Sequence, residues 1–596
     1  MHEPDVPPAA AVTAPARRVW TPGVLMAIYW AYQLSCRALN LDMFILWMSR
    51  VAVAAVIYLT FLAWWLFSRR VRRGDRWFAL AVAMTTTAVA VALSVDAASG
   101  LVGLPFVFSA WAVWAVAAQR ASPRAWRIGF ASLICLTWAP FTLIRVGGLT
   151  GDQREEIAWR WEPTSEERFF TERAELSGES PAKMFHSDDE PVVASAGDWP
   201  EFRGPRRDGV VRGVKIETDW KNHPPRELWR RRVGPAWSSM CVVGGRLFTQ
   251  EQRGERETVA CYNADTGEEL WTHDDPARFD EAVSGIGPRA TPTFAGGRIY
   301  TAGATGRLNC LDAADGRVVW SHDLVADDGA SLPAFGFWGF ANSPLVVDGL
   351  VVVYQGAEGH EQLRAFDIET GEPVWQIEAG KNNYSSPQLA TLSGRRQIVF
   401  VGDGGLTAVE PDSGTVLWQD TDRFKAMMAM VQPHVISDNE MIVAADGGLV
   451  RLAVEQRDDA WTVENRWSAP SRALRPAYND FVVHRGAVYG FDEGIFGCLD
   501  LATGKRTWKR GRYGHGQVLL LADQDLLLVT SESGAVVLLV ADPAVCRELG
   551  RFQAIEGKTW NHPVVAHGCL YVRNAEEMAC FELPPPNGSS NHESHE

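Results

Sequence analysis

Side chains able to bind or react recur in short stretches along the second part of the chain. They combine indoles, a phenol, amides, guanidinium groups and an imidazole: Trp237, Arg289, Asn342, Tyr384, Asn479, Arg512, His515, Trp560 and Asn561. Aromatic faces can stack on a planar ligand, and arginine can bind the carboxylates of such a ligand. Asp480 follows Asn479, so this pair could hold a calcium ion, and Asp480 could act as a general base.

Each of these residues also has a purely structural interpretation. Ser, Thr or Asn before Pro recurs in most of the stretches, as in "NSP" (342–344) and "SSP" (385–387), and such residues commonly fix a loop. His515 and His562 have no Glu or Cys at ligand spacing, which favours a hydrogen-bonding role over metal binding. Asp480 could likewise cap a turn.

An eleven-residue pattern sets the spacing of these stretches. "CLDAADGRVVW" (310–320) recurs as "CYNADTGEELW" (261–271), "AFDIETGEPVW" (365–375), "AVEPDSGTVLW" (408–418) and "CLDLATGKRTW" (498–508). The Gly predicts a tight turn with positive φ, and the final Trp predicts an apolar wedge whose N–H can reach a carbonyl. Including looser copies, the closing aromatics are Trp229, Trp271, Trp320, Trp375, Trp418, Trp467, Trp508 and Phe552.

The distance between successive closing aromatics predicts the architecture. It is about 40–55 residues, which suits a four-stranded propeller blade. Residues 198–584 are therefore predicted to form an all-β propeller of eight blades, with the last blade beside the first. In this topology, the loops before the inner strands converge around the central channel. We call that side the funnel face, and we expect it to gather the candidate residues.

The first part of the chain is predicted to be a helical membrane domain, residues 22–148. Five apolar segments near the ~20-residue length of a membrane span are found at 22–41, 44–67, 77–95, 101–119 and 128–147. The basic loops "RRVRRGDR" (69–76) and "RASPRAWR" (120–127) predict that they and the tail 1–21 are cytoplasmic. An odd number of spans in the inner membrane then places the propeller on the extracytoplasmic, periplasmic side. Residues 149–197 are predicted to form a charged helix, within 150–175, and a flexible linker, and 585–596 a disordered tail.

Charge and cysteine usage exclude some classes of protein. The net charge of -15, without a basic stripe in the propeller, argues against a nucleic-acid partner. Cys261, Cys310 and Cys498 open their motif copies where Ala365 and Ala408 open others, which indicates small buried apolar residues rather than disulfides. Without Cys-x-x-Cys, the sequence predicts no structural metal site.

The motif Ala-x-Asp-x-x-x-Gly-x-x-x-Trp and the segment "DWPEFRGPRRDGV" (198–210) resemble the pyrroloquinoline-quinone (PQQ)-like repeat propeller superfamily. The resemblance covers residues 198–584. It implies an eight-bladed propeller and one of two activities. In the BamB-like branch the propeller binds protein segments, whereas in the quinoprotein dehydrogenase branch it holds PQQ with calcium.

The resemblance also indicates which activity to expect. The enzyme branch is expected to hold calcium with a Glu, an Asn and the quinone, beside an Asp base; the funnel residues supply Asn479 and Asp480 but no Glu. Neither an adjacent Cys-Cys pair nor a Cys-x-x-Cys-His haem motif occurs. We therefore expect a membrane-anchored binding or scaffolding module, holding a protein or small ligand on its funnel face. The alternative is a PQQ-dependent dehydrogenase that oxidises an alcohol or sugar and passes electrons to membrane quinone, with Asp480 catalytic.

Overall fold

The computed structural model describes residues 19–586 except 37–42, 96, 153, 180–190, 282, 334–337, 382, 422–428, 446–447, 459 and 471–472. The chain forms two compact units. One contains Met1–Gly147 and Glu155–Glu162, and the other contains Gly148–Arg154 and Pro163–Glu596. Most of the two predicted tails, and the middle of the predicted linker, lie outside the described residues.

The first unit is helical. Its helices are α1 (Thr21–Ser35), α2 (Met43–Phe67), α3 (Arg73–Leu93), α4 (Ala97–Ala117) and α5 (Pro123–Trp138), followed by a 3-10 helix at Ala139–Thr142. Aromatic side chains pack between the helices. The Trp111 ring, for example, meets the Trp65 and Phe130 rings edge-on, with centroids 5.0 and 5.5 Å apart. One buried charge is paired, with Asp75 lying 2.8 Å from Arg127.

The prediction of five membrane spans is wrong in number. Among the described residues, two helical segments are long and apolar enough to cross a membrane, Leu46–Phe67 and Arg73–Leu93, and Val102–Ala117 is a shorter apolar helix. The helices α1 and α5 have 15 and 16 residues, about 23 Å of helix, against a hydrocarbon core of about 30 Å. The last predicted span extended over residues that form the 3-10 helix and a strand instead.

A hairpin and one helix follow. The hairpin consists of β1 (Ile144–Leu149) and β2 (Glu155–Trp159), and the helix is α6 (Ser165–Glu179). Residues 150–175 were predicted to form a charged helix. The structure instead has the strand β2 in the first half of this region, and the helix begins only at Ser165. Helix α6 begins at a capping box, in which the Glu167 N–H donates to Thr164 Oγ1 (3.1 Å) and the Thr164 N–H donates to Glu167 Oε2 (2.7 Å).

The second unit confirms the predicted eight-bladed propeller. Each blade is an antiparallel sheet of four strands, and a fifth strand joins blade 7. The strands β3 (Val210–Val211) and β4 (Arg226–Arg232) precede blade 1. Blade 1 contains β5 (Cys241–Val243), β6 (Arg246–Arg253), β7 (Arg256–Asn263) and β8 (Glu269–Asp275), followed by the short hairpin of β9 (Asp280–Glu281) and β10 (Gly285–Ile286).

The next three blades follow in chain order. Blade 2 contains β11 (Thr293–Ala295), β12 (Arg298–Ala302), β13 (Arg307–Asp312) and β14 (Val318–Asp323). Blade 3 contains β15 (Leu345–Val347), β16 (Leu350–Ala357), β17 (His360–Asp367) and β18 (Pro373–Glu378). Blade 4 contains β19 (Gln388–Leu392), β20 (Arg395–Gly402), β21 (Gly405–Val409) and β22 (Val416–Asp420).

The last four blades complete the ring. Blade 5 contains β23 (His434–Ser437), β24 (Glu440–Ala445), β25 (Gly448–Arg457) and β26 (Ala460–Ser468). Blade 6 contains β27 (Val482–His484), β28 (Ala487–Asp492), β29 (Ile495–Asp500) and β30 (Arg506–Arg512). Blade 7 contains β31 (Gln517–Leu521), β32 (Leu526–Thr530), β33 (Ala535–Val540) and β34 (Arg547–Gln553), with β3 parallel to β31. Blade 8 contains β35 (Val564–Ala566), β36 (Cys569–Arg573) and β37 (Glu577–Glu582), with β4 as its outer strand.

The repeated motif joins each blade to the next. Within a blade, the first motif residue lies opposite the closing Trp, as Ala365 does with Trp375. The Trp375 indole N–H then donates to Pro411 O of the next blade at 2.8 Å, and its ring packs on Gly414. Trp418 departs from this pattern and donates to Gln397 of its own blade, because blade 5 has two long strands in place of the motif turn.

Candidate functional site

Residues 198–211, which we call the channel segment, lie against the inner strands around the channel. It passes from blade to blade along the inner strands. The contacts are a bridge between Trp199 and Val242, and hydrogen bonds from Phe294 N to Pro200 O, Arg207 to Pro344 O, Gln388 to Arg206 O, Gln432 to Arg207 O, and Arg203 to Phe481 O, before β3 joins β31. The segment therefore forms hydrogen bonds with the inner strands of seven blades or with the residues just before those strands.

A buried charge network centres on Asp480. Its carboxylate lies 3.3 Å from the Arg203 guanidinium, 3.5 Å from His562 Nε2 and 3.9 Å from His434 Nε2. The Arg203 guanidinium also donates to His434 Nε2. The Phe202 ring closes one side, edge-on to His562 at 4.9 Å. One carboxylate thus faces a permanent cation and two imidazoles inside the protein.

Burial and charge set the pKa values in this network. Burial raises the pKa of Asp480, but Arg203 and the two histidines outweigh it, so the pKa lies below its usual value. Burial lowers the pKa of His562 to about 4, and burial together with the Arg203 charge lowers the pKa of His434. Because Asp480 is ionised and both histidines are neutral at pH 7, the single negative charge balances Arg203.

The amide and hydroxyl side chains around the channel connect neighbouring blades. The Asn561 Nδ2 group donates to Ser238 O at 2.7 Å, Asn342 Nδ2 donates to Ser385 O, and Thr291 N donates to Ser343 Oγ at 2.9 Å. The Asn479 Oδ1 atom accepts from the Ala477 N–H at 3.1 Å. These contacts match the structural interpretation of the Asn, Ser and Thr residues before the inner strands.

Four rings form an aromatic cluster on the funnel face: Trp237, Tyr478, His515 and Trp560. Trp560 lies 4.9 Å from Trp237 and 5.0 Å from Tyr478, and Tyr478 stacks on His515 at 5.4 Å, measured between ring centroids. The Lys558 ammonium lies 4.6 Å from the Trp560 ring centre, a cation–π distance. Glu532 accepts from the Trp560 indole N–H at 3.0 Å.

Residues 148–152, which we call the tip because they end strand β1, lie against this cluster. The Gly151 N–H donates to Glu532 Oε1 at 2.6 Å. Both backbone groups of Leu149 are bonded, since its N–H donates to Val283 O (2.7 Å) and its carbonyl accepts from Lys558 Nζ (3.1 Å). Asp152 Oδ1 lies 3.8 Å from His515 Nε2. Val283, Glu532 and Lys558 thus hold a polypeptide backbone beside the cluster by three hydrogen bonds.

Arg289 and Tyr384 have partners of their own outside the four rings. Arg289 lies 3.0 Å from the Glu281 carboxylate and also donates to Ser284 and Gly287. Tyr384 packs on Trp338 at 5.5 Å, and its hydroxyl accepts from the Trp338 N–H. Arg512 is exposed at the end of β30, the outer strand of blade 6. Of the predicted binding residues, the structure brings together Trp237, His515 and Trp560.

Comparisons with known proteins match the repeated blades. The family model described as "Outer membrane protein assembly factor BamB" matches residues 222–323 and 255–510. The match lies within the propeller and supports its resemblance to the PQQ-like repeat superfamily. A curated relative of that same name from Shewanella oneidensis is 22% identical over 371 residues, covering 59% of this chain and 86% of the relative.

Quinoprotein enzymes are also similar to this PQQ-like propeller. The quinohemoprotein alcohol dehydrogenase ADH-IIG of Pseudomonas putida is 29% identical over 163 residues, covering 24% of this chain and 21% of the enzyme. The crystal structure of a quinohemoprotein alcohol dehydrogenase from Comamonas testosteroni superposes with a TM-score of 0.50 at 13% identity, covering 66% of this chain and 81% of that one. The structural likeness shows a shared fold.

The space between Trp237 and Trp560 does not fit a planar cofactor such as PQQ. A planar ring between two others needs about 3.5 Å on each side, roughly 7 Å in all, whereas Trp237 and Trp560 lie 4.9 Å apart. Arg289, the candidate partner for the carboxylates of the cofactor, is already paired with Glu281. Among the described residues, no three His, Cys, Asp or Glu side chains are grouped as metal ligands. Calcium binding by Asn479 and Asp480 stays a prediction.

The sequence did not point to four residues that shape these sites. Arg203 and His434 complete the buried network, while Glu532 and Lys558 bind the tip. The channel segment contains the arginine-rich stretch "FRGPRR". Because a buried arginine needs a paired acidic or hydrogen-bonding group, this stretch indicated that Arg203 could have such a partner. Glu532 and Lys558 stand in ordinary polar loops and carried no such signal.

Proposed function

We propose that this protein is a membrane-anchored binding or scaffolding module whose funnel face holds segments of protein partners. The observation that carries the proposal is the contact between the aromatic cluster and the tip. Glu532 accepts a backbone N–H and Lys558 donates to a backbone carbonyl, which are groups that every polypeptide offers. Flat aromatic side chains beside them add contact area at low entropic cost.

The similarity to BamB supports this proposal. A relative bearing the name "Outer membrane protein assembly factor BamB" is covered over 86% of its length, whereas the alcohol dehydrogenase relative is covered only over 21% of its length. We infer that the propeller of this chain acts through protein partners in the same manner, without chemistry of its own.

We also propose that the helical unit anchors the propeller to the inner membrane, with the propeller on the extracytoplasmic side. The basic loop "RRVRRGDR" (69–76) joins the two candidate spans, and its charge favours the cytoplasmic side. The start of α2 and the end of α3 then lie on the extracytoplasmic side. The helices α4 and α5 follow as a pair. Because a pair returns the chain to the same side whether or not it crosses, the proposal does not depend on five spans.

Two measurements on the full chain in membranes test the binding function against the dehydrogenase alternative. In the first, PQQ with calcium is added, and thermal unfolding and dye reduction with alcohols and aldoses are followed. A binding module shows neither stabilisation nor activity, whereas a holoenzyme gains stability from its cofactor. A clear rise in unfolding temperature with dye reduction would replace the proposal by the enzyme.

The second measurement maps the partner. A photoreactive amino acid replaces exposed Val283, beside the tip on the funnel face, or exposed Val545, in the loop before the outer strand of blade 7. We expect defined protein adducts from position 283 and none from position 545. Equal labelling at both positions would contradict a funnel-face partner.

A further inference from the structure

We propose that the aromatic cluster is a receptor for a polypeptide turn that carries glycine, and that the tip is its built-in ligand. A partner with such a turn must then displace the tip to bind. This inference rests on the proposed function and names its partner class: an exposed β-turn with glycine at the position of Gly151.

The hydrogen bonds beside the cluster all go to backbone groups of the tip. The Thr150 N–H donates to Arg154 O at 2.8 Å, and the Arg154 N–H donates to Thr150 Oγ1 at 3.1 Å, so the tip is a closed turn. Its outward N–H groups at Leu149 and Gly151 and its carbonyl at Leu149 are the groups that the propeller binds. Another turn of the same shape would present the same donors and acceptor.

The glycine requirement comes from the close approach of the rings. A Cβ atom at Gly151 would fall 2.3 Å from His515 Cδ2 and 2.4 Å from the Tyr478 hydroxyl. Neither ring is free to retreat, since His515 is buried and stacks on Tyr478, which in turn contacts Trp560. Any side chain at this position is therefore excluded, and glycine is the residue that the site accepts.

Covalent attachment makes the tip a strong competitor. The tip is separated from Glu532 by 381 residues of sequence, but it is held beside the funnel by the chain itself. A tethered ligand has an effective concentration on the order of mM, so a free turn of equal affinity binds poorly while the tip is in place. Removing the tip from the site should raise the affinity for a free turn accordingly.

The test uses the full chain in nanodiscs and a fluorescent peptide of residues 146–156, VGGLTGDQREE, cyclised through its ends. Binding is followed by fluorescence anisotropy for the wild type and for Gly151→Ala, which ejects the tip. Gly147→Ala is the matched control, because a Cβ there makes only an ordinary contact at 3.8 Å. We expect Gly151→Ala to bind the peptide at least tenfold more tightly than the wild type, and Gly147→Ala to match the wild type.

Two further arms make the result specific. A peptide with Gly151→Ala should not bind, and Trp560→Ala in the Gly151→Ala chain should abolish binding. In the wild-type chain, the added peptide should displace the tip, so hydrogen exchange of the Gly151 amide should become faster. This measurement needs no variant. Equal affinity of Gly151→Ala and wild type, or no binding to either, would overturn the inference. In that case, crosslinks from position 283 would still support the proposed function, so failure of this inference is distinguishable from failure of the proposed function.

Discussion

The Arg203 guanidinium lies 3.3 Å from the Asp480 carboxylate, and their side chains are 0% and 5% exposed. Arg203 comes from the channel segment, whereas Asp480 precedes the inner strand of blade 6. Because a buried ion pair is strong only while both partners remain, this pair makes the channel segment part of the propeller core.

Asp480→Asn should destabilise the propeller by about 3–5 kcal/mol, because it leaves the Arg203 charge buried without its partner. Chemical denaturation of the full chain, followed by tryptophan fluorescence, measures this change. Glu582→Gln removes the exposed ion pair with Arg226 and serves as the control, with an expected cost below about 1 kcal/mol. Equal effects of the two substitutions would contradict the role given to Asp480.

Stability should fall as the pH drops from about 6.5 towards 4. The unfolded chain protonates His562 near its usual pKa of 6.5, but the folded protein does so only near a pKa of about 4. The unfolded state therefore binds more protons in this window, which removes up to roughly 3 kcal/mol of stability. The lowered pKa of His434 acts in the same direction.

His562→Gln should make this pH dependence shallower, as measured by denaturant midpoints at several pH values between 4 and 7. His434 remains, so part of the slope should persist. His223→Gln, at an exposed histidine outside the network, serves as the control. A slope that is unchanged by His562→Gln would show that protonation elsewhere controls acid stability.

Gly414→Ala should destabilise the propeller more than Gly394→Ala. The two glycines have φ of +67° and +74°, so both substitutions carry a similar backbone cost of about 1 kcal/mol. At Gly414 a Cβ would also fall 2.7 Å from the Trp375 ring, whereas nothing lies within 4 Å at Gly394. We expect the difference in unfolding free energy to be about 1–3 kcal/mol, and equal losses would mean that Trp375 moves aside freely.

Thr164→Ala should loosen helix α6 by about 1 kcal/mol, because it removes the side chain that caps the first turn. Hydrogen exchange of the amides at the start of α6 measures this locally. Thr171→Ala, in the same helix, removes only a hydroxyl that bonds to the Glu167 carbonyl, and should change the exchange little. Faster exchange in both variants would indicate that the capping box is not what holds the helix.

The blades could be predicted from the sequence because each one is encoded locally. The turn glycine and the closing Trp lie four residues apart in every full motif copy, so eleven residues suffice to recognise a blade. The membrane spans were overcounted because apolar composition alone does not show where a helix ends, and residues after Trp138 leave the α-helix. The aromatic cluster was partly foreseen, through Trp237, His515 and Trp560.

The sequence by itself determined the repeat, the number of blades, and the ring closed by Trp229 and the last strands. Only the tertiary structure decided what lies against the inner strands and what occupies the funnel face. Arg203 meets Phe481 across 278 residues, and Gly151 meets Glu532 across 381. Such contacts depend on where a folded ring brings distant loops, and no short-range pattern of residue types records that position.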